Sequence, residues 1–335
     1  MKLLFAAICL LALAGVSQAS FSKLAVRARI EKIVPKRIQG DTTMLYMVNN
    51  SQEVGPGRSS KLLEYDTSTS KYRVVTDKLR GLDDSVSGSC LCGDNFYATI
   101  TDAPISFGLV KVNIRTGKVD YLDCKNFLFH QIQCDPNGDN NTFIGAASQF
   151  TSPPTFSVQR YDATSQTTKA IGQFPHVEWA GWDSIFSFDF DNNALLAAFA
   201  TIESGLPKGA KLYEMDLKTG SVSGPKAFDG NKPVQAIFAS GKDQFTGTTV
   251  DADNNVVQLC QFDKSGSSVA VTNCNDAPGL HTFGLPYPIC NNKLYTLTQP
   301  QPHAGAPQGL YVTDLSELST NKIAEVENVI PYAVS

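Results

Sequence analysis

The sequence predicts an all-β chain built from six repeated units of four antiparallel strands. A short pattern, an aliphatic residue followed four positions later by Asp or Asn, recurs at Leu62…Asp66, Leu109…Asn113, Val158…Asp162, Leu212…Asp216, Leu259…Asp263 and Leu310…Asp314. Successive copies lie about 50 residues apart, a period that marks a repeat architecture. Each copy is flanked by β-rich runs and polar turns, the signature of hairpins rather than helices.

The patterned strand ends at Asp or Asn because a short polar side chain can hydrogen-bond the backbone two residues on and so start a turn. A large residue often precedes it, as at Tyr65, Tyr161, Met215 and Phe262. A polar or Gly-bearing stretch follows, such as Arg115-Thr116-Gly117-Lys118 or Lys218-Thr219-Gly220-Ser221, and then a run like Tyr72-Arg73-Val74-Val75. Upstream of each hairpin stands an apolar strand: Met44–Val48, Phe96–Ile100, Phe143–Ala146, Leu195–Phe199, Phe245–Thr248 and Leu294–Leu297. Before most of these a further strand ends in a polar turn, at Gly93-Asp94, Asp135–Gly138, Asp191–Asn193, Gly241–Asp243 and Asn291-Asn292. A pair of sandwich sheets would need no such period.

This organisation resembles the six-bladed β-propeller superfold over most of the chain. The Leu-x-x-x-Asp-x-x-Thr-Gly hairpin at Leu212–Gly220 is similar to that of many six- and seven-bladed propellers. The Trp-Asp pair of WD40 blades and a paired-glycine kelch signature are both absent. The resemblance implies four-stranded blades that bury their faces against neighbours, in one domain over 20–335. Blades are expected at roughly 24–79, 80–126, 127–174, 175–228, 229–276 and 277–335. The last is expected to be completed from the opposite terminus, with Lys23–Glu31 pairing near Val329–Val334. Such a fold does not set a function.

At the N-terminus, Met1-Lys2, the uncharged apolar run Leu3–Val16 and the small residues Ser17 and Ala19 lay out a secretory signal peptide over 1–19. The run falls short of the roughly 20 apolar residues of a membrane span, so a secreted, extracellular protein without stable membrane insertion is expected. A formal net charge of −4 lacks the basic excess of a nucleic-acid binder. Lys23, Arg27, Arg29, Lys32, Lys36 and Arg37 crowd together near the N-terminus. Their alternation with apolar residues reads first as a solvated strand face, and second as a site for anionic glycan. Cleavage removes Cys9 and leaves Cys90, Cys92, Cys124, Cys134, Cys260, Cys274 and Cys290 as disulfide candidates. Cys260 and Cys274 flank one hairpin turn, and Cys124 and Cys134 bracket the passage from second to third unit, so these are the expected pairs. Cys90 and Cys92 are expected to point to opposite strand faces. The sequons at Asn49 and Asn140 are expected to carry glycan.

In a propeller, ligands meet the central channel, lined here by the segments 82–89, 127–133, 176–188, 232–238, 279–287 and 328–333. They carry Asp83, Asp84, His130, His176, Glu178, Trp179, Trp182, Asp183 and His281. Trp179 and Trp182, the chain's two tryptophans, stand with Glu178 and Asp183 as the ligand-binding candidates. Aromatic faces stack on sugars while carboxylates accept hydroxyl hydrogen bonds; filling the space between blades is the plainer role. His130, His176 and His281 are the metal-ligand candidates for a divalent ion, Ca or Zn, in the channel. With such an ion, Asp183, Glu178 and His281 would be the catalytic candidates. No close His-x-His or His-x-x-x-His spacing supports that set, so each histidine reads first as structural. Asp83-Asp84 reads as a turn. Asp135–Asn141 alternates oxygen ligands but has Ala146 where a calcium loop needs its twelfth-position Glu, and Asp251–Asn255 also reads as a turn. The expected function is non-catalytic binding of an extracellular protein or glycan, with no cofactor. The alternative is a metal-dependent propeller hydrolase or lactonase.

Overall fold

Strands whose residues are apolar at nearly every position need a neighbour on both faces, and that requirement sets the architecture. The structure, a computed structural model, describes residues 43–49, 60–79, 88–102, 106–124, 127–149, 155–175, 185–203, 206–231, 234–239, 241–251, 256–277, 288–290, 292–297, 308–326 and 329–334. The first blade holds β1 (Met44–Asn49), β2 (Ser60–Asp66) and β3 (Lys71–Leu79). The second is β4 (Ser89–Cys92), β5 (Asn95–Asp102), β6 (Ser106–Asn113) and β7 (Val119–Asp123). The third is β8 (Phe127–Cys134), β9 (Thr142–Gln149), β10 (Thr155–Asp162) and β11 (Thr167–Gln173). In the fourth stand β12 (Ile185–Asp189), β13 (Ala194–Glu203), β14 (Leu206–Asp216) and β15 (Val222–Ala227). The fifth has β16 (Val234–Ala239), β17 (Gln244–Asp251), β18 (Val256–Asp263) and β19 (Ala270–Asp276). The sixth has β20 (Ile289–Cys290), β21 (Lys293–Leu297), β22 (Gln308–Asp314) and β23 (Ser319–Val326), and β24 (Val329–Val334) follows.

Each blade is an antiparallel sheet of four strands in sequential order, with β24 added beside β1. β24 touches β4, β4 touches β8, β8 touches β12, β12 touches β16 and β20 touches β24, while an apolar cluster joins the fifth and sixth blades, so these strands form the inner ring of a six-bladed β-propeller. Ring closure differs from the expectation. The sixth blade supplies its own four strands, and β24 instead completes the first blade, with Leu45 opposite Val334 and Val48 opposite Ile330. Residues 23–31 lie outside the described residues, and among the described residues Val329–Val334 pairs with Met44–Asn49. β24 thus comes from the far side of the sixth blade to cover the inner edge of β1.

The recurring Asp or Asn of the sequence pattern closes the outer hairpin of every blade. Asp216 Oδ1 accepts the backbone N–H groups of Lys218 and Thr219 at 2.9 and 2.7 Å. Asp66, Asn113, Asp162 and Asp314 accept from residues two and three ahead in the same way, and Asp263 accepts from Ser265. These bonds hold the Asp216 and Asp162 carboxyls below the usual carboxylate range.

Six apolar clusters fill the six seams between blades. Tyr46, Leu62 and Val48 meet Phe96, Ala98 and Val110 at the first seam. Tyr97 and Leu109 meet Phe129, Phe143 and Tyr161 at the second. At the third, Phe156, Val158 and Phe174 meet Phe186, Phe199 and Met215. Leu196 and Leu212 meet Phe245 and Phe262, Phe238 and Leu259 meet Leu294 and Leu315, and Leu45 and Met47 meet Tyr295 and Leu310.

The cysteines depart from expectation in two respects. Cys260 and Cys274 stand opposite each other on β18 and β19 and are bonded, with Cα atoms 4.1 Å apart. Cys134, however, bonds Cys92 rather than Cys124, tying β8 of the third blade to β4 of the second with Cα atoms 5.4 Å apart. Cys124 is a buried thiol outside both disulfides. Cys92 and Cys134 are the last residues of the inner strands β4 and β8 and meet there, whereas Cys124 precedes β8 and Cys134 ends it, at opposite ends of that strand. Cys90 and Cys92 do not point to opposite faces, because residues two apart in a strand share one; their Sγ atoms are 3.6 Å apart.

Two hairpin turns bear on the neighbouring blade through glycine. Gly117 and Gly220 have φ of 70° and 73°, and a Cβ on either would overlap the carbonyl oxygen of Val75 or Ile171 on the outer strand of the preceding blade. Gly230 has φ of 75° with open space around it. Gly220→Ala is expected to lower stability by about 2–3 kcal/mol in denaturant unfolding, against about 1 kcal/mol for Gly230→Ala from backbone strain alone. Equal losses would show that the turn does not seat on the next blade.

Candidate functional site

The inner ring is the place where six blades present side chains to a common axis, so the candidate residues are best taken from there. Regular pairing is interrupted in three inner strands. On β8 the register steps from Phe129 opposite Ala147 to Gln131 opposite Ala146, which leaves His130 as a bulged residue. On β16 Gln235 is skipped between Val234 and Ala236, and on β24 Tyr332 is skipped between Ala333 and Pro331. A bulge redirects a side chain that regular alternation would place elsewhere.

His130 shows where one such residue goes. Its Nε2 lies 2.9 Å from Ser148 Oγ on β9. The ring stacks against Phe186 of the fourth blade at 5.9 Å and lies tilted 5.9 Å from Phe156 of its own. His130 therefore leans into the third seam. The residue retains some exposed surface, but its ring is enclosed by these neighbours, and burial drives its pKa from 6.5 down to about 4. The imidazole is neutral at neutral pH, with Nε2 either donating to the serine hydroxyl or accepting from it.

The other channel candidates, Asp83, Asp84, His176, Glu178, Trp179, Trp182, Asp183 and His281, lie outside the described residues, as does most of Asp251–Asn255. Asn49 ends β1, opposite Lys61 and Val329. Asn140 is exposed in the turn between β8 and β9, with its amide against Gly93 and its carbonyl accepting from Asn95 Nδ2 and Tyr97 OH, both at 3.1 Å. The oxygens of that turn are engaged by protein groups. Asp135 pairs with Arg160 at 2.5 Å and accepts the Asn137 N–H, Asp139 accepts from Asn141 and Thr142, and Asn141 Oδ1 accepts from Lys111 at 2.7 Å. This agrees with a structural turn that docks on the second blade.

A cluster not foreseen from the sequence sits in the second seam. The Sγ atoms of Cys90, Cys92 and Cys134 all lie within 4.8 Å of one another. Cys134 Sγ is also 2.9 Å from the Leu91 carbonyl oxygen. Cys90 is buried among Tyr97, Phe129 and Phe143, and burial pushes its thiol pKa upward; Cys124 in the same seam is pushed up to about 11. The signal was present in the Cys90-x-Cys92 spacing, which puts both thiols on one face.

No protein-family model matches the chain, and no curated protein matches it. Among solved structures it is similar to TolB from Acinetobacter baumannii, at a TM-score of 0.58 and 13% identity, over 88% of this chain and 66% of that one. The chain thus spans just under two thirds of the TolB chain. It is also similar to two Bacteroides proteins provisionally assigned as 6-phosphogluconolactonases. For B. fragilis the TM-score is 0.47 at 9% identity, over 90% of this chain and 99% of that one. For B. uniformis it is 0.46 at 11%, over 88% and 98%. At these identities the likeness is one of fold. Among the described residues no helix is long and apolar enough to cross a membrane.

The enclosure of His130 has a measurable consequence. Because its folded pKa is depressed to about 4, the unfolded chain takes up the proton first as pH falls. The stabilisation is complete above about pH 6.5 and is lost progressively down to about pH 4, by at most about 3 kcal/mol. His130→Gln should flatten the stability profile across that window in denaturant titrations at each pH. An unchanged slope would mean that the imidazole is not enclosed.

Proposed function

We propose that the chain is an exported propeller that binds an extracellular protein or glycan without catalysing a reaction. The observation that favours binding over metal-assisted hydrolysis is the placement of His130. A channel ion held by His130, His176 and His281 needs the first imidazole to face the axis, whereas it leans into the third seam toward Ser148 and Phe186. A hydrolase or lactonase centred on Glu178, Asp183 and His281 would lose one of its three nitrogen ligands.

Two disulfides, Cys92–Cys134 and Cys260–Cys274, suit an oxidising compartment and agree with export through a signal peptide over 1–19. The exposed turn carrying Asn140 suits a glycan acceptor. Contact with the partner is assigned to the segment carrying Trp179 and Trp182, where two aromatic faces stand beside the Glu178 and Asp183 carboxylates in sequence.

The test combines metal content with binding. The purified, secreted chain should begin at Ser20 and contain no stoichiometric divalent ion, and its melting temperature should not move on chelation. A glycan array and a panel of secreted proteins should then yield a ligand whose affinity falls at least about tenfold in Trp179→Ala and Trp182→Ala. One tightly held ion per chain, lost in His130→Ala or His281→Ala, would overturn the binding reading in favour of the hydrolase.

A further inference from the structure

We propose that Cys90, Cys92 and Cys134 form a thiol–disulfide exchange centre that can move the covalent link between the second and third blades into a single strand. Two of the three sulfurs are already bonded, and the third is a free thiol with its Sγ 3.6 Å from Cys92 Sγ. A thiol in contact with a disulfide is the reactant pair of an exchange; the three sulfurs all lie within 4.8 Å of one another and so are not in line at rest, and the seam must open for Cys90 to approach along the disulfide axis.

The step balances without an outside oxidant or reductant. Cys90 gives its proton to water, and its thiolate attacks Cys92 Sγ. The Cys90–Cys92 bond forms as the Cys92–Cys134 bond breaks, and the electron pair leaves on Cys134 Sγ, which takes up a proton. One disulfide and one thiol are present before and after. The Leu91 carbonyl oxygen, 2.9 Å from Cys134 Sγ, is placed to accept the new S–H.

Geometry decides which form rests. Cys92 and Cys134 have Cα atoms 5.4 Å apart, near the middle of the range that disulfides bridge. Residues two apart on an extended strand are about 6.6 Å apart, close to the upper limit. The inter-blade bond is therefore the resting one, and the intra-strand bond forms when the seam opens. Burial favours the protonated Cys90 thiol, so exchange is slow in the closed seam and quickens with pH and with loosening. The centre thereby acts as a releasable staple between two blades.

The test uses the full chain, incubated at pH 7, 8 and 9 with denaturant raised until the buried thiols react, then acid-quenched and labelled with a maleimide. Trypsin places Cys90 and Cys92 in the fragment 81–111 and Cys134 in the fragment 126–160. Label on Cys134 is expected to appear together with an internally bonded 81–111 fragment. Its rate should rise up to about tenfold per pH unit as the thiolate fraction grows. Cys90→Ser and Cys90→Ala should each abolish label on Cys134, and Cys124→Ser should preserve it. Label on Cys90 with none on Cys134 once the seam is open, label on Cys92 in place of Cys134, or Cys134 label that persists in both Cys90 variants would each overturn the proposal.

Discussion

A four-stranded sheet with apolar residues on both faces has no side to offer to water, and the rest of this molecule depends on that constraint. In β9 every residue from Phe143 to Ser148 is buried, and in β2 burial runs from Leu62 through Tyr65. Such strands must be covered twice, once by the preceding blade and once by the next. The six seam clusters meet that need, and the requirement extends to the first and last blades. Leu45 and Met47 of β1 pack on Tyr295 and Leu310, so the first and sixth blades are held together by the same kind of contact that joins every other pair of blades. The pairing of β24 with β1 adds backbone hydrogen bonds across that junction and makes closure both apolar and polar.

Apolar seams alone leave relative blade position loosely specified, since dispersion contacts carry little direction. Directional ties supplement them at several seams. Arg73 on β3 pairs with Glu64 at 2.5 Å and also donates to the Ile114 carbonyl of the second blade at 3.2 Å. Lys264, buried beside β18, pairs with Glu214 of the fourth blade at 2.6 Å, while Lys226 donates to the Lys264 carbonyl. Asn275 of the fifth blade donates to the Leu318 carbonyl of the sixth at 3.2 Å. A buried charge in each of the first two ties is paired and hydrogen-bonded, which offsets its desolvation and makes its geometry selective rather than simply adhesive.

How far the sequence spoke for the structure follows from the range of each interaction. Asp66, Asn113, Asp162, Asp216, Asp263 and Asp314 were legible because their turns are made within three residues of the side chain itself, and the pattern repeats. The Cys260–Cys274 link belongs to the same class, being closed by one hairpin. Pairing of Cys134 with Cys92 was not legible, since it is set by two inner strands from different blades meeting at the ring. The face shared by Cys90 and Cys92, against the expectation of opposite faces, follows from strand alternation, in which residues two apart point the same way. Closure by β24 on β1 rests on a contact between strands far apart in the chain, Met44–Asn49 and Val329–Val334, for which no local residue provides a signal, while residues 23–31 lie outside the described residues. The bulge at His130 is likewise a register shift between β8 and β9, invisible to a pattern of residue types.

That last difference bears on how a repeat fold acquires an individual site. Six blades with equivalent hairpins and seams would present an inner ring of nearly uniform geometry, which suits no particular ligand. In the described residues the inner strands of the first, third and fifth blades each skip one residue, at Tyr332, His130 and Gln235, whereas those of the second, fourth and sixth pair without interruption. The Asx turns are the recurring element of the repeat within this chain, whereas strand register varies from blade to blade, in the inner pairs and also in the outer hairpins, where every blade but the second carries a shift. A bulge costs one unpaired ladder position but turns a side chain away from its regular face. In the third blade the bulged His130 meets Ser148, Phe156 and Phe186 at the third seam. Variation of this kind can set which polar groups face the channel without disturbing the seams, because the second and third strands pair without a shift in five blades, and in the fourth the register steps only near the strand end, between Thr201 and Ile202.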